Sequence, residues 1–143
     1  MLDAVSESTA PAGSQPTRSS AQTRRVAAID IGTNSTHLLV ASVDTTLGTF
    51  SIEQAEKSTT RLGERDPDSG ELTSAGMQRG YETLRRVRDL AISHDVEQIV
   101  TAAPSAVREA PNGREFLQSI QDGLGMDVDL VSGPEEARLI YLG

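Results

Sequence analysis

The chain has 143 residues, 13 of them Lys or Arg and 21 Asp or Glu, for a formal net charge of -8. One modest domain fits this length, and the acidic balance excludes broad attraction to nucleic acid or to an anionic membrane, so a polyanionic ligand must be met locally. The absence of cysteine excludes disulfides, zinc–thiolate centres and thiol catalysis, and with neither a signal-peptide core nor the roughly 20 apolar residues of a membrane span the expectation is a soluble cytoplasmic protein.

Residues 1–23 are rich in Ser, Thr, Ala, Gln and Pro with almost no large apolar side chains, the composition of a disordered tail. Order is expected from Arg24. Val26, Ala27, Ala28, Ile29 and Ile31 form an apolar run ended by Gly32, which predicts a buried strand. After the polar turn Thr33-Asn34-Ser35, Leu38 to Val43 predicts a second strand, and Thr49 to Lys57 a third, more polar one.

The Asp-Pro-Asp-Ser-Gly cluster at Asp66 to Gly70 predicts a turn, and Thr73 or Ser74 is placed to cap a helix. Met77, Tyr81, Leu84, Val87 and Ala91 recur at three- and four-residue spacing, giving that helix one apolar stripe with the intervening arginines facing water. Gly76 and Gly80 either serve a close packing contact or weaken the first turns. A strand is predicted from Val96 to Ala103, a helix from Asn112 to Leu124 with Phe116, Leu117, Ile120 and Leu124 inward, a strand from Val128 to Val131, and a last helix from Pro134. Three strands followed by alternating helices and strands imply an α/β layered domain with parallel pairing in its later part.

Four segments can carry chemistry. In Asp30-Ile31-Gly32-Thr33-Asn34-Ser35 an acidic residue leaves a strand and a glycine permits a sharp turn, which can aim backbone N–H groups at one phosphate while Asp30 holds a magnesium ion directly or through water. The same residues also suit an ordinary hairpin. A carboxylate embedded in an apolar strand needs a partner, which favours the functional reading. In Ser132-Gly133-Pro134-Glu135-Glu136-Ala137-Arg138 the proline suits a first helical position and the glutamates suit the positive end of a helix dipole. One of them can instead face a cleft as general base on a water attacking phosphorus.

The third segment is Ser105-Ala106-Val107-Arg108-Glu109-Ala110-Pro111-Asn112, after a predicted strand end. There Arg108 can form bidentate contacts with phosphate or be merely solvated, and Asn112 can hold the loop or cap the helix. The fourth, Thr60-Arg61-Leu62-Gly63, puts a cation at the end of the third strand and reads as a surface charge. His37 and His94 are isolated and receive no role.

Taken together in this order, these segments resemble the exopolyphosphatase/guanosine pentaphosphate phosphohydrolase (Ppx/GppA) family over nearly everything after residue 24. The wording of Arg108 to Gly113 and of Ile140-Tyr141-Leu142-Gly143 is similar to cyanobacterial members. The resemblance implies the actin-like ATPase and sugar-kinase (ribonuclease H-like) fold, of which this chain is the first, incomplete subdomain. It also implies magnesium-dependent hydrolysis of the terminal phosphoanhydride of inorganic polyphosphate, or of the 5'-phosphate of guanosine pentaphosphate, with a homodimer in the full-length form. Residue by residue, it places Gly32, Thr33, Asn34 and Ser35 in the first phosphate loop, Asp30 at the metal, Arg108 on phosphate and Glu136 as the catalytic base.

Pro104 stands where the family usually has a small hydroxyl residue, which removes donors near Arg108. The family's second phosphate loop, Asp-x-Gly-Gly-Gly-Ser, falls beyond Gly143, so residues 24–143 are expected to be the N-terminal part of the phosphatase domain, with catalysis by the chain alone weak or absent. Two other readings are an ATP-dependent kinase of the same fold and a non-catalytic half-domain that binds polyphosphate or a partner subunit.

Overall fold

The computed structural model describes residues 23–103 and 105–130 together with residues 132 and 134. The tail expected at residues 1–23 lies outside them except for Thr23, which already belongs to the first strand. The elements are β1 (Thr23–Ile31), β2 (Ser35–Asp44), β3 (Thr49–Thr59), α1 (Ser74–Ser93), β4 (Gln98–Ala103), α2 (Ser105–Glu109), α3 (Gly113–Leu124) and β5 (Asp129–Leu130). The strands form one mixed sheet in the order β3-β2-β1-β4-β5. β1, β2 and β3 pair antiparallel as consecutive neighbours, whereas β4 pairs parallel to β1 and β5 parallel to β4. Parallel neighbours need a crossover connection, and α1 and α3 supply the two crossovers.

The core lies between one face of this sheet and the helices. Ala27, Ile29 and Ile31 of β1 and Leu38 and Val40 of β2 are buried against Leu84, Val87 and Ala91 of α1 and Phe116, Ile120 and Leu124 of α3. Thr73 caps α1 as expected, its hydroxyl accepting the Gly76 N–H at 3.1 Å, and α3 ends on Gly125 in a left-handed conformation. Gly76 and Gly80 are both buried, which decides between the two readings of these glycines. A Cβ on Gly80 would stand 3.1 Å from the Phe116 ring and 3.3 Å from Leu62, and one on Gly76 would stand 3.3 Å from the Arg61 carbonyl. The bare helix surface lets the segment after β3 lie directly on α1.

Two expectations are corrected. β1 is not buried on both sides: among the described residues the core forms on one face, so the strand follows a two-residue period and Ala28 and Asp30 take the open face. Asp30 is therefore exposed rather than embedded. On that face Phe50 (68% exposed), Ile52 (59%) and Val100 (45%) also stand in the open. The arginines of α1 do not all simply face water either. Arg79 donates to the Thr60 carbonyl and pairs with Glu64, Arg86 binds Glu56 and Ser58, and Arg88 donates to the Leu124 carbonyl. Their long side chains reach from the helix flank to neighbouring segments.

Candidate functional site

Parallel pairing sets where the predicted motifs meet. β1 runs parallel to β4 with Asp30 opposite Ala102, and β4 parallel to β5 with Ala103 opposite Leu130. The turn after β1, the helix α2 after β4 and the segment after β5 consequently all leave the sheet at one edge. Gly32, Thr33, Asn34 and Ser35, then Arg108, then Pro134 belong to these three exits. Glu135 and Glu136 lie outside the described residues, as does Pro104.

The turn after β1 is held by two sets of backbone bonds. Gly32 donates its N–H to the Ser35 carbonyl at 2.9 Å and closes the hairpin, and a Cβ on Gly32 would stand 2.5 Å from that oxygen. The second set comes from the segment after β3. The N–H groups of Thr60 and Arg61 both donate to the Asn34 carbonyl at 2.9 Å, and that of Gly63 donates to the Thr33 carbonyl at 2.8 Å. In a trans peptide the carbonyl and the following N–H point opposite ways. Drawing the carbonyls of Thr33 and Asn34 onto residues 60–63 therefore turns the N–H groups of Asn34 and Ser35 away from that clamp. Two consecutive N–H groups presented together make a concavity suited to an anion.

The clamp is anchored in turn. Leu62 is fully buried and touches the place that a Gly80 side chain would fill. The Arg79 guanidinium Nε donates to the Thr60 carbonyl at 2.9 Å, tying the clamp to α1. Arg61 itself holds a left-handed backbone, φ 49°, which a side chain larger than Asn seldom adopts. Reading Thr60-Arg61-Leu62-Gly63 as a surface charge missed this role, because the contact is made by main-chain atoms. A glycine beside a buried leucine was the available signal.

Asn112 holds a loop rather than capping α3. Its Oδ1 accepts the Leu72 N–H at 2.9 Å and its Nδ2 donates to the Leu72 carbonyl at 3.0 Å, while no side-chain bond reaches the helix it precedes. Gly113 is buried with its Cα against the Val107 carbonyl, where any Cβ would collide. This contact seats α2 on α3 and so positions Arg108, which is exposed and makes no ion pair among the described residues.

Asp30 stands on the open face directly opposite His37 of β2, and His37 opposite Lys57 of β3. His37 is not isolated: its Nε2 lies 3.3 Å from the Ser35 hydroxyl, inside the loop. Among the described residues no three acidic or histidine side chains come together as a metal cage. Asp30 is the carboxylate these residues bring to the loop. One carboxylate is compatible with magnesium, which commonly takes one or two carboxylates, substrate phosphates and water. No helix among the described residues is long and apolar enough to cross a membrane.

A model of the Ppx/GppA phosphatase family matches residues 38–143. The chain is similar to exopolyphosphatase 1 of Mycobacterium tuberculosis, 32% identical over 119 residues that make up 82% of this chain and 34% of that protein. It spans about a third of the length of the curated relatives it matches. The crystal structure of the Aquifex aeolicus Ppx/GppA family member superposes with a TM-score of 0.77 at 30% identity, covering 84% of this chain and 39% of that one. An exopolyphosphatase from Cytophaga hutchinsonii gives 0.75 at 30% identity, over 81% and 36%. The mixed sheet with its helices is thus the α/β fold of these Ppx/GppA structures over the part of them that the chain covers.

Proposed function

The chain belongs to the Ppx/GppA phosphatase family, and from that premise we propose that it forms one wall of a phosphohydrolase site that releases terminal orthophosphate from inorganic polyphosphate, or the 5'-phosphate of guanosine pentaphosphate. The observation that carries this reading is the clamped turn Gly32–Ser35, whose Asn34 and Ser35 N–H groups are turned outward at the sheet edge from which α2 and Arg108 also emerge.

The chemistry follows from charge. A phosphoryl group in transfer carries negative charge on its peripheral oxygens, and donors fixed beforehand stabilise it without reorganising during the reaction. The loop N–H groups and the Ser35 hydroxyl hold the terminal phosphoryl oxygens. Arg108, with its planar fork of donors, binds two oxygens at once and keeps its charge at any working pH. Glu136 orients the attacking water and takes its proton. Magnesium, when bound, neutralises charge on the phosphoryl oxygens, and Asp30 is the residue of this wall that would hold it, directly or through water. The setting is cytoplasmic.

The test is phosphate release from long-chain polyphosphate with magnesium, comparing the chain as given, the chain extended to a full-length family core, and that extended form with Glu136→Ala or Arg108→Gln. Activity in the extended form that drops by about a hundredfold or more on either substitution supports the assignment. Undiminished hydrolysis by the Glu136→Ala form would remove the base from the scheme.

A further inference from the structure

Beside the loop, on the β3 side, an open depression of about 270 Å³ is lined by Thr59, Arg61, Glu64 and Arg79. Thr59 is the register partner of Ser35, so the depression begins at the shoulder of the phosphate loop. A second depression of about 460 Å³ shares Thr59 and Arg79 with the first and continues along α1 past Arg85, Arg86, Glu82 and Asp89. The two adjoin at Thr59 and Arg79 and are taken together as one groove. At 1.5 Å of rise per residue, Arg79 and Arg86 are about 10 Å apart along it.

Four arginines line this groove in a chain whose net charge is -8. Two of the three carboxylates among them are ion-paired, and Glu82 meets only a neutral amide among the described residues. Glu64 pairs with Arg79 at 2.7 Å, Asp89 pairs with Arg88 at 2.7 Å, and Glu82 accepts from Gln78 at 3.1 Å. Arg61 and Arg85 have no ion pair among the described residues. Arg61 is moreover held in a left-handed backbone at the mouth of the groove, a conformation that surrounding structure must impose.

We infer that this groove is an extended anion subsite that receives the phosphates of a linear polyphosphate inward of the terminal one. The inference rests on the phosphohydrolase reading above and deepens it. A terminal phosphate held at Gly32–Ser35 leaves the rest of a long chain to run over the shoulder at Thr59, where successive arginines meet successive charges. A short oligophosphate ends before Arg85. Chain-length preference is therefore built into the flank of α1, apart from the groups that contact the terminal phosphate.

The experiment measures binding of long-chain polyphosphate and of tripolyphosphate to the full chain at two salt concentrations, for wild type, Arg85→Gln, Arg85→Lys, Arg61→Asn and, as a control of equal charge change outside the groove, Arg114→Gln. The expected result is that Arg85→Gln weakens long-chain binding about three- to fivefold and flattens its salt dependence, leaves tripolyphosphate binding as in wild type, and is largely rescued by lysine. Arg61→Asn, which suits the left-handed backbone, weakens long-chain binding as well. An equal loss for both ligands, no loss, or the same loss with Arg114→Gln overturns the subsite, as does wild-type binding of long chains no tighter than of tripolyphosphate. If wild type binds neither ligand, the subsite falls, whereas the phosphohydrolase reading is decided separately by the activity of the extended form.

Discussion

Gly63 donates its N–H to the Thr33 carbonyl at 2.8 Å, and a Cβ on Gly63 would fall on the Thr33 Cγ2 methyl. The loop and its clamp are thus in contact through a main-chain bond and a missing side chain. Gly63→Ala is expected to destabilise the fold by about 1–3 kcal/mol through overpacking, and to weaken phosphate binding at the loop. Thr33→Ser removes the clashing methyl. Urea denaturation of the two single variants and the double variant should return a coupling of about 1 kcal/mol or more. Strict additivity would show that the two positions do not press on each other.

Asn112 bridges 40 residues of sequence by satisfying both the N–H and the carbonyl of Leu72. Asn112→Ala leaves both groups without their partner in a half-buried place, and a cost of about 1–3 kcal/mol is expected. Hydrogen exchange at the Leu72 amide is the direct readout. Exchange at that amide should accelerate more than at amides in the middle of α1, and unchanged protection would count against the bridge.

Thr36 and Thr60 are each about 1% exposed, and neither hydroxyl has a hydrogen-bond partner among the described residues. A buried hydroxyl without a partner costs stability, so an isosteric apolar side chain should do better. Thr36→Val and Thr60→Val are each expected to raise the unfolding free energy by about 1 kcal/mol. A loss of stability of similar size would mean that bound water satisfies these hydroxyls.

Asp66 closes its turn by accepting the N–H groups of Asp68 and Ser69 at 2.9 Å, and these bonds hold its carboxyl below the ordinary value of 3.8. Because the folded state prefers the ionised form, the contribution of Asp66 is complete above the ordinary value and fades as pH falls through the lower folded one. Glu53 is lowered in the same sense from 4.5, chiefly by the Ser42 hydroxyl and then by Arg25. Urea midpoints of wild type and Asp66→Asn, followed from about pH 6 down to about pH 2, should differ by a constant amount at the upper end and converge at the lower. A gap that widens on acidification would contradict this assignment.

How far the sequence could be read depended on what each contact is made of. The stripe Leu84, Val87, Ala91 and the cap at Thr73 were legible because side-chain type and spacing carry them. The parallel pairing of β4 with β1 was legible from the alternation of elements. α2 was not: five residues between Pro104 and Ala110 hold too short a period to be distinguished from a loop. The open placement of Asp30 was hidden because Ala28 is small enough for either face. The clamp of residues 60–63 on Thr33 and Asn34 was hidden more deeply, since every residue type carries the N–H and carbonyl that make it. His37 looked solitary in sequence and is brought by strand register beside Asp30 and the Ser35 hydroxyl.

The bare flank of α1 at Gly76 and Gly80, with Gly63 above it, bears on how such a wall is mapped by mutation. A scan that trims side chains to alanine removes atoms at most positions, whereas at glycines such as these three it adds one. The carbons so added would push against Leu62, Phe116, the Arg61 carbonyl and Thr33, displacing the loop from behind without altering any group that meets a ligand. Damage to binding would then be traced to positions that carry no functional chemistry at all, and an inventory confined to polar side chains would pass over the most sensitive ones.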